Sequence, residues 1–205
     1  HAAGLPNSVS GGSNPAAGAV MVAPTQSSGA QAAMFPDDVV AAANAVLEAA
    51  KACGIKIATA ERCTAGLVSA SLTSVSGSAE VMERGFVTYC NEAKKEMLGV
   101  DQALLEDVGA VSEPVARAMA EGALAHSHAD LTVSITGIAG PTGGTPLKPV
   151  GLVHFATAMR DGQTVHRQAL FGALGRERVR EASVRLALDR KSTRLNSSHT
   201  DISRM

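Results

Sequence analysis

The chain has 205 residues, of which 45% are hydrophobic and only 2% are aromatic, so its core must consist of alanine and aliphatic side chains. The net charge of −1 implies no strongly basic face, which argues against nucleic acid as a partner. No apolar run approaches the roughly 20 residues that span a bilayer, which excludes a membrane-spanning helix. Three cysteines without CxxC spacing indicate neither a zinc site nor a disulfide framework, and they are typical of a cytoplasmic protein.

The composition divides the chain into three parts. Residues 1–34 are dominated by small residues without helical or strand periodicity, and we expect a disordered or non-native leader there. Residues 35–190 have the patterning of one folded domain. From residue 191 the composition changes abruptly and resembles translated sequencing-adapter read-through, so we expect 191–205 to be an artefactual tail without chemistry.

Within the domain, apolar periodicity and turn residues predict alternating helices and strands. In chain order these are a helix over 39–53, a strand over 55–59, a helix ending near 73, a strand over 84–89, helices over 91–98, 101–108 and 112–126, a strand over 131–136, two strands over 150–159 and 164–171, and a closing helix over 176–188. Gly54 is a typical helix stop, and Asn91 and Ser112 are predicted N-caps. This alternation predicts an α/β sandwich, in which helices flank a mixed sheet.

The first candidate site is the turn ATAERCTAG, residues 58–66, between a predicted strand and a predicted helix. Ligands of open α/β sheets gather at the carboxyl ends of strands, and helix N-termini favour anions. Glu61 and Thr64 are polar groups at such a position. The plainer interpretation is a capped helix start with Thr64 as the cap, and the turn by itself favours that interpretation.

The second candidate is VTYCNEAK, residues 87–94, which contains Tyr89, the only tyrosine, and Lys94. A tyrosine and a buried lysine can carry protons, and a lysine can act as a base toward a hydroxyl nucleophile. The plainer interpretation is a core tyrosine and a solvated lysine. Cys53, Cys63 and Cys90 have no base nearby in sequence, so buried structural cysteines are expected.

The third candidate is the loop TGIAGPTGGTPLKPVG, residues 136–151, which follows a predicted strand. Its glycines would let backbone N–H groups approach an anion, and Lys148 would add a positive charge. The loop matches neither GxxxxGK[ST] nor a dinucleotide fingerprint. The pattern therefore indicates a shaped, functional loop without naming its ligand. The histidines are scattered, and HSH at 126–128 is typical of a helix C-terminus.

Five segments of the domain occur together in a recognisable order: ATAERCTAGLVSASLTSVSGSAE, RGFVTYCNEAKKEMLGV, GAVSEPVARAMAEGAL, SITGIAGPTGG and KPVGLVHFA. Together they closely resemble the CinA C-terminal domain family, whose enzymes are nicotinamide-nucleotide amidases of the PncC type. The resemblance covers about residues 35–188. It implies the fold of that family, a single-domain α/β sandwich.

The resemblance also implies an activity: hydrolysis of nicotinamide mononucleotide to nicotinic acid mononucleotide and ammonia, in pyridine nucleotide recycling, without a metal or other cofactor. The implied mechanism is similar to that of serine β-lactamases, with a serine acylated with help from a lysine and a tyrosine, which match Lys94 and Tyr89. The Ala-rich helices would also allow a homodimer. The substrate-binding residues that the resemblance implies are Glu61, Thr64, Gly137, Ala139, Gly140 and Lys148.

Position 62 departs from the family, which writes its serine turn as AESCTGG where this chain has AERCTAG. Arg62 stands in place of the serine and cannot form an acyl-enzyme. The arginine is a sequence error, or the protein is a non-catalytic binder of pyridine nucleotides, or Cys63 or Thr64 replaces the serine. We expect the protein with Arg62 to hydrolyse its substrate very slowly, because losing a covalent nucleophile costs several orders of magnitude in rate.

Overall fold

The computed structural model describes the backbone of residues 34–202 and the side chains of residues 34–189. The predicted leader, apart from Met34, and residues 203–205 of the predicted tail lie outside the described residues. Within residues 34–202, no helix is long and apolar enough to cross a membrane. The elements are α1 (Asp37–Cys53), β1 (Ile57–Glu61), α2 (Leu67–Thr73), a 3-10 turn (Ser78–Glu80), β2 (Met82–Val87), α3 (Asn91–Leu98), α4 (Gln102–Val108), α5 (Glu113–Ala125), β3 (Leu131–Gly137), β4 (Leu152–Met159), β5 (Val165–Leu170) and α6 (Arg176–Ile202).

The five strands form one mixed sheet in the order β2-β1-β3-β4-β5. β1 runs parallel to both of its neighbours, β2 and β3. β4 is antiparallel to β3 and to β5, so the second half of the sheet is a meander. The carboxyl ends of β1, β2 and β3 therefore meet at one edge of the sheet.

The alternating sequence of β3, LTVSITG, explains how the sheet divides two layers of helices. Successive side chains of a strand point to opposite faces, and Leu131, Val133 and Ile135 belong to the core cluster that also contains residues of α1, α2 and α6. Thr132 and Ser134 face α5 instead, where their hydroxyls donate to the carbonyl oxygens of Ala120 at 2.7 Å and Ala116 at 2.5 Å. Small hydroxyl side chains thus let α5 pack closely on the sheet.

The layers confirm the predicted α/β sandwich. α1, α2 and α6 pack on one face, where α1 and α6 also contact each other. α5 covers the other face and contacts β1, β3, β4 and β5, while α3 and α4 pack against α5. The core is built from alanine and aliphatic residues with few aromatic side chains, as the composition predicts.

Several predicted boundaries were wrong, by two residues at β1 and β2 and by fourteen at the end of α6. β1 begins and ends two residues later than predicted, so Glu61 is part of the strand, and β2 ends at Val87, which leaves Tyr89 beyond it. The N-cap of α3 is Cys90, whose sulfur accepts from the backbone N–H of Ala93, because the helix itself begins at Asn91. Ser112 caps α5 as predicted. α6 continues to Ile202 instead of ending at residue 188.

Candidate functional site

A cavity of about 210 Å³ opens at the edge where β1, β2 and β3 end. It is lined by Arg62 and Cys63 in the turn after β1, by Tyr89 after β2 and by Arg176 at the start of α6. The end of β3 and the loop that follows it contribute Gly137, Ile138, Ala139, Gly140, Thr142 and Gly143. The parallel strands bring together three segments that are up to 75 residues apart, as one bond between Arg62 and Gly137 illustrates. Ligands of open α/β sheets bind at such an edge.

Glu61 does not line the cavity but caps α2. Its buried carboxylate accepts from the backbone N–H groups of Gly66 at 3.0 Å, Val68 at 3.1 Å and Ser69 at 2.9 Å. The hydroxyls of Thr59 and Ser69 each donate to it at 3.1 Å. These five hydrogen bonds leave the carboxylate little capacity for a substrate, so its expected binding role is replaced by a structural one.

Thr64 is also absent from the cavity wall. Its side chain is fully buried, and its hydroxyl has no hydrogen-bond partner among the described residues. The N-cap residue of α2 is Gly66, without a side-chain cap bond of its own. The plainer interpretation, in which Thr64 caps this helix, is therefore wrong: the carboxylate of Glu61, five to eight residues before the N–H groups that it accepts from, caps the helix instead.

The turn carries a second departure from the family pattern at Ala65. Its φ of 50° lies in the left-handed region, and Ala65 is the only described residue other than glycine there. Glycine adopts this conformation freely, whereas a Cβ costs roughly 1–2 kcal/mol. The family pattern TGG has a glycine at this position, so the turn geometry gives a physical reason for that glycine.

Arg62, in the wall of the cavity, reaches from the turn to the glycine-rich loop. Its Nη1 donates to the carbonyl oxygen of Gly137 at 2.6 Å, and its backbone N–H donates to Ile135 at 2.9 Å. The charged guanidinium therefore occupies space between β1 and β3 that a short side chain at position 62 would leave open. The bond also holds the beginning of the glycine-rich loop against the turn.

Lys94 lies behind the cavity and is fully buried. Its Nζ donates to the carbonyl oxygens of Thr88 at 2.9 Å and Cys90 at 3.2 Å. Burial, followed by the positive charge of Arg62, lowers the pKa of Lys94 from 10.5 to about 8. A lysine with such a pKa exchanges protons near neutral pH, as a general base must.

Tyr89 is 53% exposed, so the structure buries the lysine and exposes the tyrosine, the reverse of the plainer interpretation. The phenol oxygen accepts a hydrogen bond from Nη2 of Arg176 at 3.1 Å. This bond and the positive charge of Arg176 lower the pKa of Tyr89. The two predicted proton carriers thus lie in the same region, one in the wall and one behind it.

Two arginines of α6 belong to the site although sequence reasoning missed them. Arg176 donates to the carbonyl oxygen of Gly140 at 3.0 Å as well as to Tyr89. Arg180 donates to the carbonyl oxygen of Cys63 at 3.1 Å from the layer beneath the turn. The alternation of arginine and apolar residues in α6 was visible in the sequence, but nothing in that pattern indicated which arginines face the sheet edge.

The glycine-rich loop is divided between two places. Gly137, Ala139 and Gly140 line the cavity as expected. A Cβ at Gly137 would lie 2.7 Å from Val153, so β3 and β4 require a glycine there. Lys148 is not brought to this cavity: its Nζ donates to the carbonyl oxygen of Val108 at 2.5 Å, and it lines a second, separate cavity.

The chemistry of the first cavity is cationic. Arg62 and Arg176 present two guanidinium groups, and Lys94 adds a third basic group behind them. Clustered positive charge concentrates anionic ligands. Burial raises the pKa of the Cys63 thiol to about 11, which makes it a poor nucleophile at neutral pH. Within the described residues, no three His, Cys, Asp or Glu side chains gather as a metal site.

Comparison with known proteins assigns the chain and its fold to one family. The family described as the CinA C-terminal domain matches residues 40–195, so the chain belongs to that family. The competence/damage inducible protein CihA from Agrobacterium tumefaciens is 45% identical, with a TM-score of 0.78 over 80% of this chain and 99% of that one. The competence damage-inducible protein A of Klebsiella pneumoniae is 36% identical, with a TM-score of 0.74 over 77% of this chain and 97% of that one.

Curated relatives are longer than the matched region. The CinA-like protein of Akkermansia muciniphila is 52% identical over 138 residues, which are 65% of this chain and 33% of that protein. The CinA-like protein of Mycobacterium tuberculosis is 53% identical over 135 residues, or 66% of this chain and 31% of that protein. The chain therefore spans about a third of the length of these relatives.

Proposed function

We propose that this domain is a nicotinamide-nucleotide amidase by descent, with hydrolysis strongly impaired in this sequence by Arg62. The observations that support the proposal are that position 62 and Tyr89 line one cationic cavity and that the charge of Arg62 contributes to the lowered pKa of the buried Lys94. These three positions match the serine, tyrosine and lysine that the family resemblance implies. A phosphate-bearing mononucleotide suits the positive charge of the cavity.

With serine at position 62, the reaction would proceed in two balanced steps. Lys94, as the neutral amine, would accept the hydroxyl proton while the serine oxygen attacks the carboxamide carbon. The C–N bond would then break, and ammonia would leave after taking a proton delivered through the Tyr89 phenol or Lys94. Water would attack the resulting ester, releasing the nucleotide carboxylic acid and restoring the hydroxyl.

Arg62 interferes with this chemistry in two ways. A guanidinium has no nucleophilic oxygen. The Arg62 side chain, held by its 2.6 Å bond to the carbonyl oxygen of Gly137, also occupies the space beside the loop. The same cation would attract the phosphate or the carboxylate of a pyridine nucleotide. These features favour the second candidate, a non-catalytic binder of pyridine nucleotides, for the chain as it stands.

Ammonia release from nicotinamide mononucleotide tests the proposal, measured on the unmodified chain, Arg62→Ser and Arg62→Ala. Both variants open the cavity, but only Arg62→Ser supplies a hydroxyl. We expect Arg62→Ser to release ammonia at least about 10³-fold faster than Arg62→Ala, because the loss of a covalent nucleophile costs that much. The unmodified chain is expected to behave like Arg62→Ala.

Other outcomes separate the alternatives. Equal activity of all three proteins would move the nucleophile to Cys63 or Thr64. If none releases ammonia but the unmodified chain binds nicotinamide mononucleotide in calorimetry, the binder replaces the enzyme. If there is neither turnover nor binding, the pyridine nucleotide assignment fails.

A further inference from the structure

The wall of the first cavity carries positive charge without a compensating carboxylate. Arg62 and Arg176 both line it, and its other lining residues include no aspartate or glutamate. Glu61, which precedes Arg62, is buried and accepts from backbone N–H groups of α2. Among the residues whose side chains are described, neither arginine forms an ion pair. An anionic ligand would therefore meet two cations whose charge no carboxylate in the cavity wall offsets.

The guanidinium of Arg62 keeps donors for a ligand. Its Nη1 donates to the carbonyl oxygen of Gly137, and within the described part of the chain this is the side chain's only hydrogen bond. A guanidinium has several N–H groups and no acceptor, so most of its donors remain available. Two of them in parallel match the two oxygens of a carboxylate. A carboxamide offers only one oxygen, and its NH₂ group would face a side chain that cannot accept.

The titratable groups around the cavity respond to this positive charge. The hydrogen bond from Arg176 and the charges of Arg176, Arg62 and Arg180 lower the pKa of Tyr89. Burial, followed by the charge of Arg62, lowers the pKa of Lys94 to about 8. Negative charge is thus favoured here and further positive charge is disfavoured. An anion beside Arg62 would offset the repulsion between Arg62 and Lys94.

We propose that the chain with Arg62 binds the acid form of a pyridine nucleotide in preference to the amide form, with the ligand carboxylate paired to the Arg62 guanidinium. This inference rests on the proposed function, in which the side chain at position 62 attacks the carboxamide carbon. A residue at that position meets the reacting end of the ligand. Arg62 therefore replaces a nucleophile for the amide with a receptor for the carboxylate, so that the preferred ligand is nicotinic acid mononucleotide.

Calorimetric titration with nicotinic acid mononucleotide and with nicotinamide mononucleotide tests this preference on the unmodified chain and on Arg62→Met. The two ligands carry the same phosphate and differ only in the carboxylate or carboxamide. We expect the unmodified chain to bind the acid at least about tenfold more tightly, as one charge-assisted hydrogen bond provides. Arg62→Met keeps an apolar stem without the charge, and its affinities for the two ligands should agree within about twofold, because the acid loses its partner.

Arg167→Met is the matched control for removing an arginine charge. Arg167 is exposed on β5 and does not line the first cavity, so this variant should keep the full preference for the acid. Three results would overturn the inference: equal affinity of the unmodified chain for the two nucleotides, a preference that persists in Arg62→Met, or an equal loss of both affinities in that variant. The last result would place the phosphate, which both ligands carry, on Arg62.

If circular dichroism shows that Arg62→Met does not fold, Arg62→Lys replaces it. Lysine keeps the charge without the planar fork, and the preference for the acid should then fall at least about threefold. The Arg62→Ser turnover assay separates this inference from the proposed function. Turnover by Arg62→Ser without an acid preference in the unmodified chain would contradict the inference alone. Neither turnover nor binding of either nucleotide in any variant would contradict both.

Discussion

Lys94 combines an energetic cost to the fold with a perturbed pKa next to the candidate site. Its ammonium is fully buried and held by two backbone carbonyl oxygens, with Arg62 as a neighbouring cation. Removing a charged group from water is unfavourable unless it is paired, and here the nearby arginine adds repulsion. The lowered pKa is the result, so the neutral amine is populated near pH 8.

This burial predicts a pH dependence of stability. Unfolding returns Lys94 from a pKa of about 8 to its ordinary value of 10.5, so the unfolded chain binds more protons between these pH values. The free energy of unfolding should therefore rise with pH across this window, by up to about 3 kcal/mol. Denaturant titrations of the unmodified chain and Lys94→Met, taken as a difference at each pH, isolate this contribution.

Lys95→Met provides the matched control for removing a lysine charge, since Lys95 is the exposed neighbour on the same helix. A constant difference between the unmodified chain and Lys94→Met from pH 7 to pH 10 would show that the Lys94 amine is not perturbed.

At the scale of the element, α2 depends on a residue outside itself. The helix has only seven residues, begins after Gly66 without a side-chain cap of its own, and receives its cap from Glu61 at the end of β1. Free N–H groups at a helix N-terminus need acceptors, and a carboxylate also complements the helix dipole. The strand and the helix are thereby joined at the turn that carries position 62.

Glu61→Gln is expected to lower the free energy of unfolding by about 3 kcal/mol, because the new NH₂ group replaces an oxygen that accepts from backbone N–H groups. The midpoint of denaturant unfolding measures the loss. Glu96→Gln, on the exposed surface of α3, is the matched control and should leave the midpoint nearly unchanged. Equal midpoints for the two variants would mean that the cap contributes nothing to stability.

At the scale of the whole molecule, the close contact of α3 with α5 determines how the second helical layer covers the sheet. Gly122, within α5, lies against the backbone of Leu98 at the end of α3, and a Cβ there would overlap the Leu98 carbonyl oxygen. α5 also contacts four of the five strands, so it cannot move away from α3 without losing its contacts with the sheet. The interior is closely packed, and such displacements are costly.

Gly122→Ala separates two opposed effects. Helix propensity alone favours alanine by about 1 kcal/mol, but overpacking against backbone typically costs 1–3 kcal/mol or more, so we expect a net loss of roughly 2 kcal/mol. Thermal unfolding followed by circular dichroism measures it. Glu121→Ala, exposed on the same helix, controls for propensity. A melting temperature of Gly122→Ala at or above that of the unmodified chain would contradict this account.

Local patterns were sufficient to predict most of the elements. The period-two alternation of LTVSITG and the Ser112 cap of α5 both depend on neighbouring residues, and both appear in the structure as expected. The family resemblance adds the order of the segments, which brings position 62, Tyr89 and residues 137–140 to one sheet edge. Errors of two residues at β1 and β2 occurred because strand ends depend on pairing with distant partners.

The sequence by itself therefore determined the fold class, the family and the three segments that form the first cavity, because periodicity and motifs are local properties of the chain. Only the tertiary structure decided which polar groups are available there. It assigned Glu61 to a helix cap, placed Arg176 on Tyr89, and moved Lys148 to a second cavity beside His154. The bonds of Arg176 and Lys148 join residues 87 and 40 positions apart and follow from how the layers pack, so no spacing along the chain encodes them.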